Sequence, residues 1–264
     1  MTPSRFLPIF AALFALATAA HAAERVERIA TRSGVTQGLF IVDATGTPWA
    51  TAILYVGGNG KMALDASGPT DLKGNFLLRV SDRLSKAGIA LIYPDTPSDQ
   101  RNGFGNSRTD ANHAEDGQAV VAWARQHSAA PIFIVGTSRG TISAVNVAAG
   151  IEPGAIAGVV LTSSLMRPSR TANAIDDDQL ARVAVPTLVV HHRNDGCGVT
   201  KPGDVPQLMD GLKAAPRKEL AWISGGLPAK SGPCDGKSAH GYFGAEAEAT
   251  KAIIDWMKAT VAAR

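Results

Sequence analysis

A single serine stands between two glycines where the chain is predicted to pass from a strand into a helix. The apolar, β-prone residues 132–135 precede Gly136-Thr137-Ser138-Arg139-Gly140, and small and branched residues suited to a helix follow. In this setting a G-x-S-x-G sequence is typical of a sharp turn that strains the serine backbone and exposes its hydroxyl at the end of a sheet. The context therefore favours a nucleophilic serine at position 138 over the alternative, an ordinary glycine-rich turn.

A serine hydroxyl needs a base to take its proton and a third group to orient that base. In enzymes with such a turn, the order along the chain is serine, then aspartate or glutamate, then histidine. Asp195 follows the predicted strand "TLVVHHR", and His240 lies in the loop before the last predicted helix. Ser138, Asp195 and His240 are therefore the candidate catalytic residues.

Other acidic and histidine residues provide alternatives to this assignment. Three consecutive aspartates precede the strand that leads to Asp195, and any of them could be the acid, although such a run is more typical of a solvated helix start; they are Asp176, Asp177 and Asp178. The pair His191-His192 could bind a metal, but no Cys, His or Asp residues with ligand spacing surround it, so we expect structural histidines and no metal site.

Negative charge on a reacting carbonyl oxygen needs two hydrogen-bond donors. One is the backbone amide that follows the nucleophile, here that of Arg139. The other is expected from the loop after an early strand, Gly57-Gly58-Asn59-Gly60, where glycines let the backbone approach closely. Gly58 is the first candidate and Asn59 the second. A phosphate-binding loop is excluded because Lys61-Met62 is not the Lys-Ser/Thr pair of that motif.

From residue 72 onward, short apolar strands alternate with helical segments. The predicted strands include "IALIYPD", "PIFIVG", "IAGVVLTSS" and "KELAWISGG". Two further predicted strands, "GLFIVDA" and "ATAILYVGG", come earlier, and "GYFGAEAEATKAIIDWMKATVA" is predicted to be the closing helix. This pattern predicts an α/β protein with a mostly parallel central sheet covered by helices on both faces. Ligands of such sheets bind at the carboxyl ends of the strands, where the candidate residues lie.

In its layout and in the motifs around Ser138, Asp195 and His240, the chain resembles the α/β-hydrolase superfamily. The resemblance covers nearly all of residues 23–264 as one domain. It implies that Ser138 is the nucleophile, His240 the general base and acid, and Asp195 its orienting partner. One departure is Val56, which stands where many members have a histidine before the glycine loop.

The resemblance implies a serine hydrolase that cleaves small carboxylic esters through an acyl-enzyme and needs no cofactor. The alternatives are a serine peptidase or amidase with the same triad, and a binding protein that has the fold but no activity. Only about 20 residues separate two neighbouring strands after the serine motif, so we expect a minimal cap or none.

Residues 1–22 have the pattern of a secretory signal peptide cleaved after Ala22. A short positive start precedes an apolar run over residues 6–20, and Ala20-His21-Ala22 fits the cleavage pattern. An apolar run of about 15 residues is short for a membrane anchor, so no span is expected in the mature chain. We therefore expect a periplasmic or secreted protein. Its net charge of +3 is too small to indicate nucleic-acid binding, and its oligomeric state is left open.

The two cysteines of the chain are expected to form a disulfide bond if the protein is exported. Cys197 lies two residues after Asp195, and Cys234 lies six residues before His240. A bond between them would join the loop that carries the candidate acid to the loop that carries the candidate base.

Overall fold

An eight-stranded β-sheet runs through the centre of the protein. This computed structural model describes residues 22–152 and 154–264, so the predicted signal peptide lies outside the described residues except for Ala22. The strands are β1 (Glu24–Arg32), β2 (Val35–Val42), β3 (Ala50–Tyr55), β4 (Leu64–Asp65), β5 (Gly68–Pro69), β6 (Ile89–Pro97), β7 (Ile132–Thr137), β8 (Gly158–Thr162), β9 (Thr187–His192) and β10 (Lys218–Ile223). Strands β4 and β5 pair only with each other, as a small hairpin.

Helices connect the strands of the central sheet and cover both of its faces. They are α1 (Phe76–Arg79), α2 (Ser81–Lys86), α3 (Ala111–His127), α4 (Gly140–Ala149), α5 (Asp177–Ala181), α6 (Val205–Gly211) and α7 (Glu246–Ala262). Among the residues that the structure describes, no helix is both long enough and apolar enough to cross a membrane.

The strand order in the sheet is β1-β2-β6-β3-β7-β8-β9-β10. All neighbours from β6 to β10 in this order are parallel, whereas β1 and β2 are antiparallel to their neighbours. The carboxyl ends of the parallel strands therefore share one edge. The loops after β3, β7, β9 and β10 carry Gly58, Ser138, Asp195 and His240, so the fold brings all four to that edge.

Two hydrophobic clusters hold the helices on the sheet, one on each face. Successive side chains of a strand point to opposite faces, so Leu54 belongs to the first cluster and Ile53 to the second. Phe76 of α1 and Trp256 of α7 pack in the first cluster, whereas Val120 of α3 packs in the second. Burial on both faces explains why these strands are almost continuously apolar.

The α/β class with a mostly parallel sheet is confirmed, but three local predictions differ from the structure. Strand β1 has no counterpart in the prediction because it is an antiparallel edge strand, "ERVERIATR", in which charged residues interrupt the apolar ones. The segment "DLKGNFLLRVSDRLSKAG" has the apolar periodicity of one helix before β6, but in the structure it is divided at Val80, whose φ of -99° and ψ of 6° leave the helical region. The last helix begins at Glu246 because a short 3₁₀ helix, Ala239–Gly241, and a turn over residues 242–244 precede it.

Candidate active site

Ser138 lies in the tight turn between β7 and α4. Its φ is +53°, in the left-handed region that a residue with a side chain rarely adopts. The flanking residues must be glycines because neither position has room for a side chain. A Cβ on Gly140 would lie 1.9 Å from the carbonyl oxygen of Tyr55, and one on Gly136 would lie 2.5 Å from that of Gly140. The turn therefore depends on close backbone packing and leaves Ser138 partly exposed at the edge of the sheet.

Asp195 and His240 form a buried hydrogen bond. His240 Nδ1 lies 2.9 Å from Asp195 Oδ2, although 45 positions separate the residues in the sequence. The side chains of Asp195 and His240 are 0% and 5% exposed. The backbone N–H of Cys197 donates to Asp195 Oδ1 at 2.9 Å and so holds the carboxylate in place. A carboxylate bonded to Nδ1 places the proton of a neutral imidazole on that nitrogen and leaves Nε2 free to accept another.

Thr200 supports this pair and was not found from the sequence. Its buried hydroxyl donates to Asp195 Oδ2 at 2.9 Å and lies 3.1 Å from His240 Nδ1. Its carbonyl oxygen lies 2.9 Å from Nε2 of His191, which is also buried. Burial lowers the pKa of His191, which favours the neutral ring at pH 7, and its Nε2 lies 3.7 Å from Asp195 Oδ2.

The loop of His240 is fixed by Arg79, which also went unnoticed in the sequence. The guanidinium of Arg79 donates to the carbonyl oxygens of Gly236 at 2.7 Å and Gly241 at 2.8 Å, on either side of His240. It also forms an ion pair with Glu246 at 2.6 Å. A Cβ on Gly241 would lie 2.1 Å from the carbonyl oxygen of Gly236. The histidine loop is therefore closely packed and tied to α1 and α7.

Two hydrogen bonds at the end of β8 connect the serine turn to the histidine loop. The Ser138 N–H donates to the carbonyl of Thr162 at 3.0 Å, and the hydroxyl of the next residue, Ser163, donates to the carbonyl of His240 at 2.8 Å. Ser138 and His240 therefore flank the same strand end. Within the described residues, no hydrogen bond joins Ser138 Oγ to His240.

The loop after β3 packs against Ser138 and presents a backbone N–H group that is not hydrogen-bonded among the described residues. A Cβ on Gly57 would lie 3.0 Å from the Cβ of Ser138. The N–H groups of Gly58 and Arg139 have no hydrogen-bond partner among the described residues. Gly58 has a φ of +62°, and Asn59 is held by Phe104, whose N–H donates to its carbonyl at 2.9 Å. The two amides first considered from the sequence are thus both unpaired beside the serine turn.

Arg108 holds the loop after β3 in place from the protein interior. Its polar surroundings in the sequence suggest a solvated loop residue, but the structure buries it. It is 2% exposed. Its guanidinium donates to Ser143 Oγ of α4 at 2.5 Å and to the carbonyl of Val56 at 3.2 Å, and it stacks 4.6 Å above the ring of Phe104. Burial lowers its pKa. No carboxylate lies within 4 Å of it in the described part of the chain.

A disulfide bond joins Cys197 to Cys234. The Cα atoms are 4.6 Å apart across a separation of 37 positions. Cys197 is 1% exposed, whereas Cys234 is exposed. The bond links the loop of Asp195 to the loop of His240, in agreement with the expectation from their spacing.

The alternative acids and histidines occupy structural positions. Asp176 caps α5, where its side chain accepts from the N–H of Gln179 at 2.8 Å, and Asp177 and Asp178 are exposed in the first turn. Alternation along a strand predicts that one of the pair His191-His192 faces the surface or the cleft, but both are buried. Across residues 22–152 and 154–264, no three His, Cys, Asp or Glu side chains are grouped as metal ligands.

Solved structures share this fold at low sequence identity. A dienelactone hydrolase from Anabaena variabilis superposes with a TM-score of 0.64 at 16% identity, covering 90% of this chain and 98% of that chain. An esterase from Pyrococcus furiosus gives 0.64 at 14% identity, covering 90% and 91%. An α/β serine hydrolase homologue from Coxiella burnetii gives 0.59 at 15% identity, covering 90% and 99%. No family model and no curated protein matches the sequence. The protein therefore has the α/β-hydrolase fold.

Proposed function

We propose that the protein is a serine hydrolase that cleaves carboxylic esters through an acyl-enzyme intermediate. The buried hydrogen bond between Asp195 and His240, at the sheet edge that also carries the strained Ser138, is the observation that carries this proposal. The similarity of the fold to esterases and to a dienelactone hydrolase supports it.

In the first step, His240 Nε2 takes the proton of Ser138 Oγ while that oxygen attacks the ester carbonyl. Because Asp195 accepts from Nδ1, it stabilises the imidazolium that forms. The protonated ring then gives its proton to the departing alcohol, and an acyl group remains on Ser138.

The oxyanion of the tetrahedral intermediate is stabilised by the amides of Arg139 and Gly58. Both N–H groups are unpaired among the described residues, so neither has to give up another bond. Fixed donors of this kind act strongly because they are already oriented when the charge develops. The N-terminal end of α4, directly after Arg139, adds a favourable dipole.

In the second step, water replaces the alcohol and His240 acts again as the base. Attack of water on the acyl carbon regenerates Ser138 and releases the carboxylic acid. Every proton moves through His240, so the reaction needs no cofactor.

Export is part of the proposal. Residues 1–22 are taken as a signal peptide cleaved after Ala22, with residues 23–264 as the mature domain in the periplasm or outside the cell. The disulfide between Cys197 and Cys234 is the structural feature that supports an oxidising compartment.

Labelling with a fluorophosphonate probe tests the proposal directly. Such a probe reacts with an activated serine, so we expect covalent modification of the wild type at Ser138 and none in Ser138→Ala. Ser67→Ala removes an exposed serine from the β4–β5 turn and serves as a matched control that keeps labelling. Absence of labelling in folded wild-type protein would favour the inactive binding protein.

A panel of matched substrates separates esterase from peptidase or amidase. Esters and amides of the same acyl groups are compared by kcat/KM. We expect the esters to be preferred. Higher kcat/KM for the amides would reassign the reaction while leaving the triad in place.

A further inference from the structure

A cleft next to the proposed active site is lined by three basic side chains from separate segments of the chain. Arg28 comes from β1, Lys61 from the loop after β3, and Arg101 from the loop after β6. The cleft has a volume of about 510 Å³, which is sufficient for a small organic group. The sequence alone favours a solvated loop arginine at position 101 over one that holds an acidic substrate group, and it does not show that the three residues meet, because they are far apart along the chain.

The three cations lack acidic partners. In the described part of the chain, no carboxylate lies within 4 Å of Arg28, Lys61 or Arg101, whereas Arg32 of β1 pairs with Asp99 and Asp116 at 2.9 Å. Among the described residues, Arg101 donates only to the carbonyl of Ser98, at 3.1 Å.

One carboxylate lines the cleft, but its oxygens are already used. Asp95 is 8% exposed. Its Oδ1 accepts from the N–H groups of Met62 at 2.7 Å and Thr96 at 2.8 Å, and its Oδ2 accepts from Leu64 at 3.2 Å. Asp95 therefore organises the backbone of the cleft, and the three exposed or half-buried cations outnumber it.

The cleft lies beside the proposed oxyanion loop. Lys61 follows that loop, and its N–H donates to Asn59 Oδ1 at 3.1 Å. Strand β6, which ends at the cleft, is separated from β7 and Ser138 by β3 alone. The two strand spacings from β6 to β7 correspond to about 10 Å, a span that an eight-carbon chain can bridge, whereas Arg28 on β1 lies two strands further from Ser138.

Two further guanidinium groups lie at or beneath the serine turn. The guanidinium of Arg139 donates to Thr171 Oγ1 at 2.7 Å, and that of Arg108 lies buried beneath the loop after β3. Neither has a carboxylate within 4 Å among the described residues. These two guanidinium groups add to the positive charge of the cleft, which is opposed nearby by the carboxylates of Asp95 and Asp195.

We propose that this cleft, at the end formed by Lys61 and Arg101, binds a carboxylate carried by the ester substrate, about two strand spacings, or 10 Å, from Ser138. This inference rests on the proposed ester hydrolysis at Ser138. The substrates are then monoanionic esters, and the basic residues select them through KM.

Paired substrates that differ only in this charge test the inference. The mono-p-nitrophenyl ester of suberic acid carries the charge in the acyl half, and the butyryl ester of ω-hydroxyoctanoate carries it in the alcohol half; each is compared with its own methyl ester. For at least one pair, we expect the wild type to prefer the anion about tenfold in kcat/KM, a modest factor because partly exposed ion pairs are weak. Added salt should reduce the preference by screening.

Variants connect the preference to the cleft. In Lys61→Ala/Arg101→Ala the ratio between the anionic and the methyl ester should fall towards one, and in Lys61→Glu/Arg101→Glu it should invert. Lys213→Ala removes a positive charge from the exposed segment between α6 and β10 and should keep the ratio. No preference in either pair, or a preference that persists in the double variants, would overturn the inference.

A binding measurement separates this inference from the proposed function. Calorimetric titration of Ser138→Ala with monomethyl suberate and with dimethyl suberate needs no turnover. Binding of the monoanion alone, lost in Lys61→Ala/Arg101→Ala, supports the cleft even if the wild type hydrolyses no ester. Ester hydrolysis without selective binding of the monoanion refutes the cleft and leaves the proposed function intact.

Discussion

Replacement of Asp195 by asparagine exchanges one carboxylate oxygen for an NH₂ group. The contacts of Asp195 indicate how this exchange would change the protonation of His240. Asp195 Oδ1 accepts from the N–H of Cys197, so asparagine keeps that bond with its carbonyl oxygen. Its NH₂ group then occupies the place of Oδ2, opposite Thr200 Oγ1 and His240 Nδ1. A donor now faces Nδ1, which must become the acceptor, and the imidazole proton moves to Nε2.

This tautomer cannot take the proton of Ser138. It also loses the carboxylate that stabilises the imidazolium. We expect kcat for an ester to fall about 10⁴-fold, as it does when the same change traps the wrong tautomer in a serine protease. At about 1.4 kcal/mol per factor of ten, this corresponds to roughly 5 kcal/mol of transition-state stabilisation.

Steady-state kinetics of the purified variant measure the loss, and urea unfolding shows whether the fold is kept. Asp176→Asn is the matched control, because asparagine caps a helix as well as aspartate does; this variant should keep its kcat. If Asp195→Asn retains kcat within tenfold, or if Asp176, Asp177 or Asp178 proves essential instead, the assignment of the acid is refuted.

Three further predictions concern the surroundings of the proposed triad. Thr200→Val should lower kcat about tenfold to a hundredfold, because a hydrogen bond to a charged group contributes about 1.5–3 kcal/mol. Thr200→Ser keeps the hydroxyl and should retain most of the wild-type kcat. Equal kcat in the wild type and both variants would show that the hydroxyl has no role. Cys197→Ala/Cys234→Ala should lose up to about 4 kcal/mol of stability by the chain-entropy estimate and part of its kcat well below its Tm; unchanged kcat there would assign the bond to stability alone. Burial lowers the pKa of His113, in α3, from an ordinary 6.5 to about 3. As the pH falls, the unfolded chain therefore binds the proton before the folded protein does. The stability against unfolding that is present above pH 6.5 is lost as the pH falls towards 3. His113→Leu should reduce this acid sensitivity, measured by urea midpoints at pH 7.5 and 5, whereas equal changes in both proteins would contradict the argument.

The sequence predicted the features that depend on local patterns. Apolar runs located the buried strands, and the glycines around Ser138 located the sharp turn, because only backbone fits there. The chain order of Ser138, Asp195 and His240 then sufficed to propose the site, because parallel strands end at one edge of the sheet and bring their following loops together. The spacing of the two cysteines from Asp195 and His240 indicated the disulfide for the same reason.

The supporting contacts could not be predicted because each joins distant segments. Arg79 reaches Gly241 across 162 positions, and Arg108 reaches Ser143 across 35. Hydrophobic periodicity predicts which face of an element is buried, but not which polar group it meets. An arginine within a polar, glycine-rich segment has the pattern of a solvated residue, and only the packing of Phe104 and α4 around it makes Arg108 a buried anchor.

The unequal exposure of the two bonded cysteines gives thiol exchange a direction. Cys234 is exposed, whereas Cys197 is buried, so we expect a reductant to attack the sulfur of Cys234. Attack therefore leaves the reductant on Cys234 and frees the Cys197 thiol inside the protein, held next to the new mixed disulfide. That thiol can expel a monothiol and restore the original bond. Reduction by brief exposure to glutathione should thus be reversible. A dithiol instead leaves as its own cyclic disulfide and should keep both cysteines reduced.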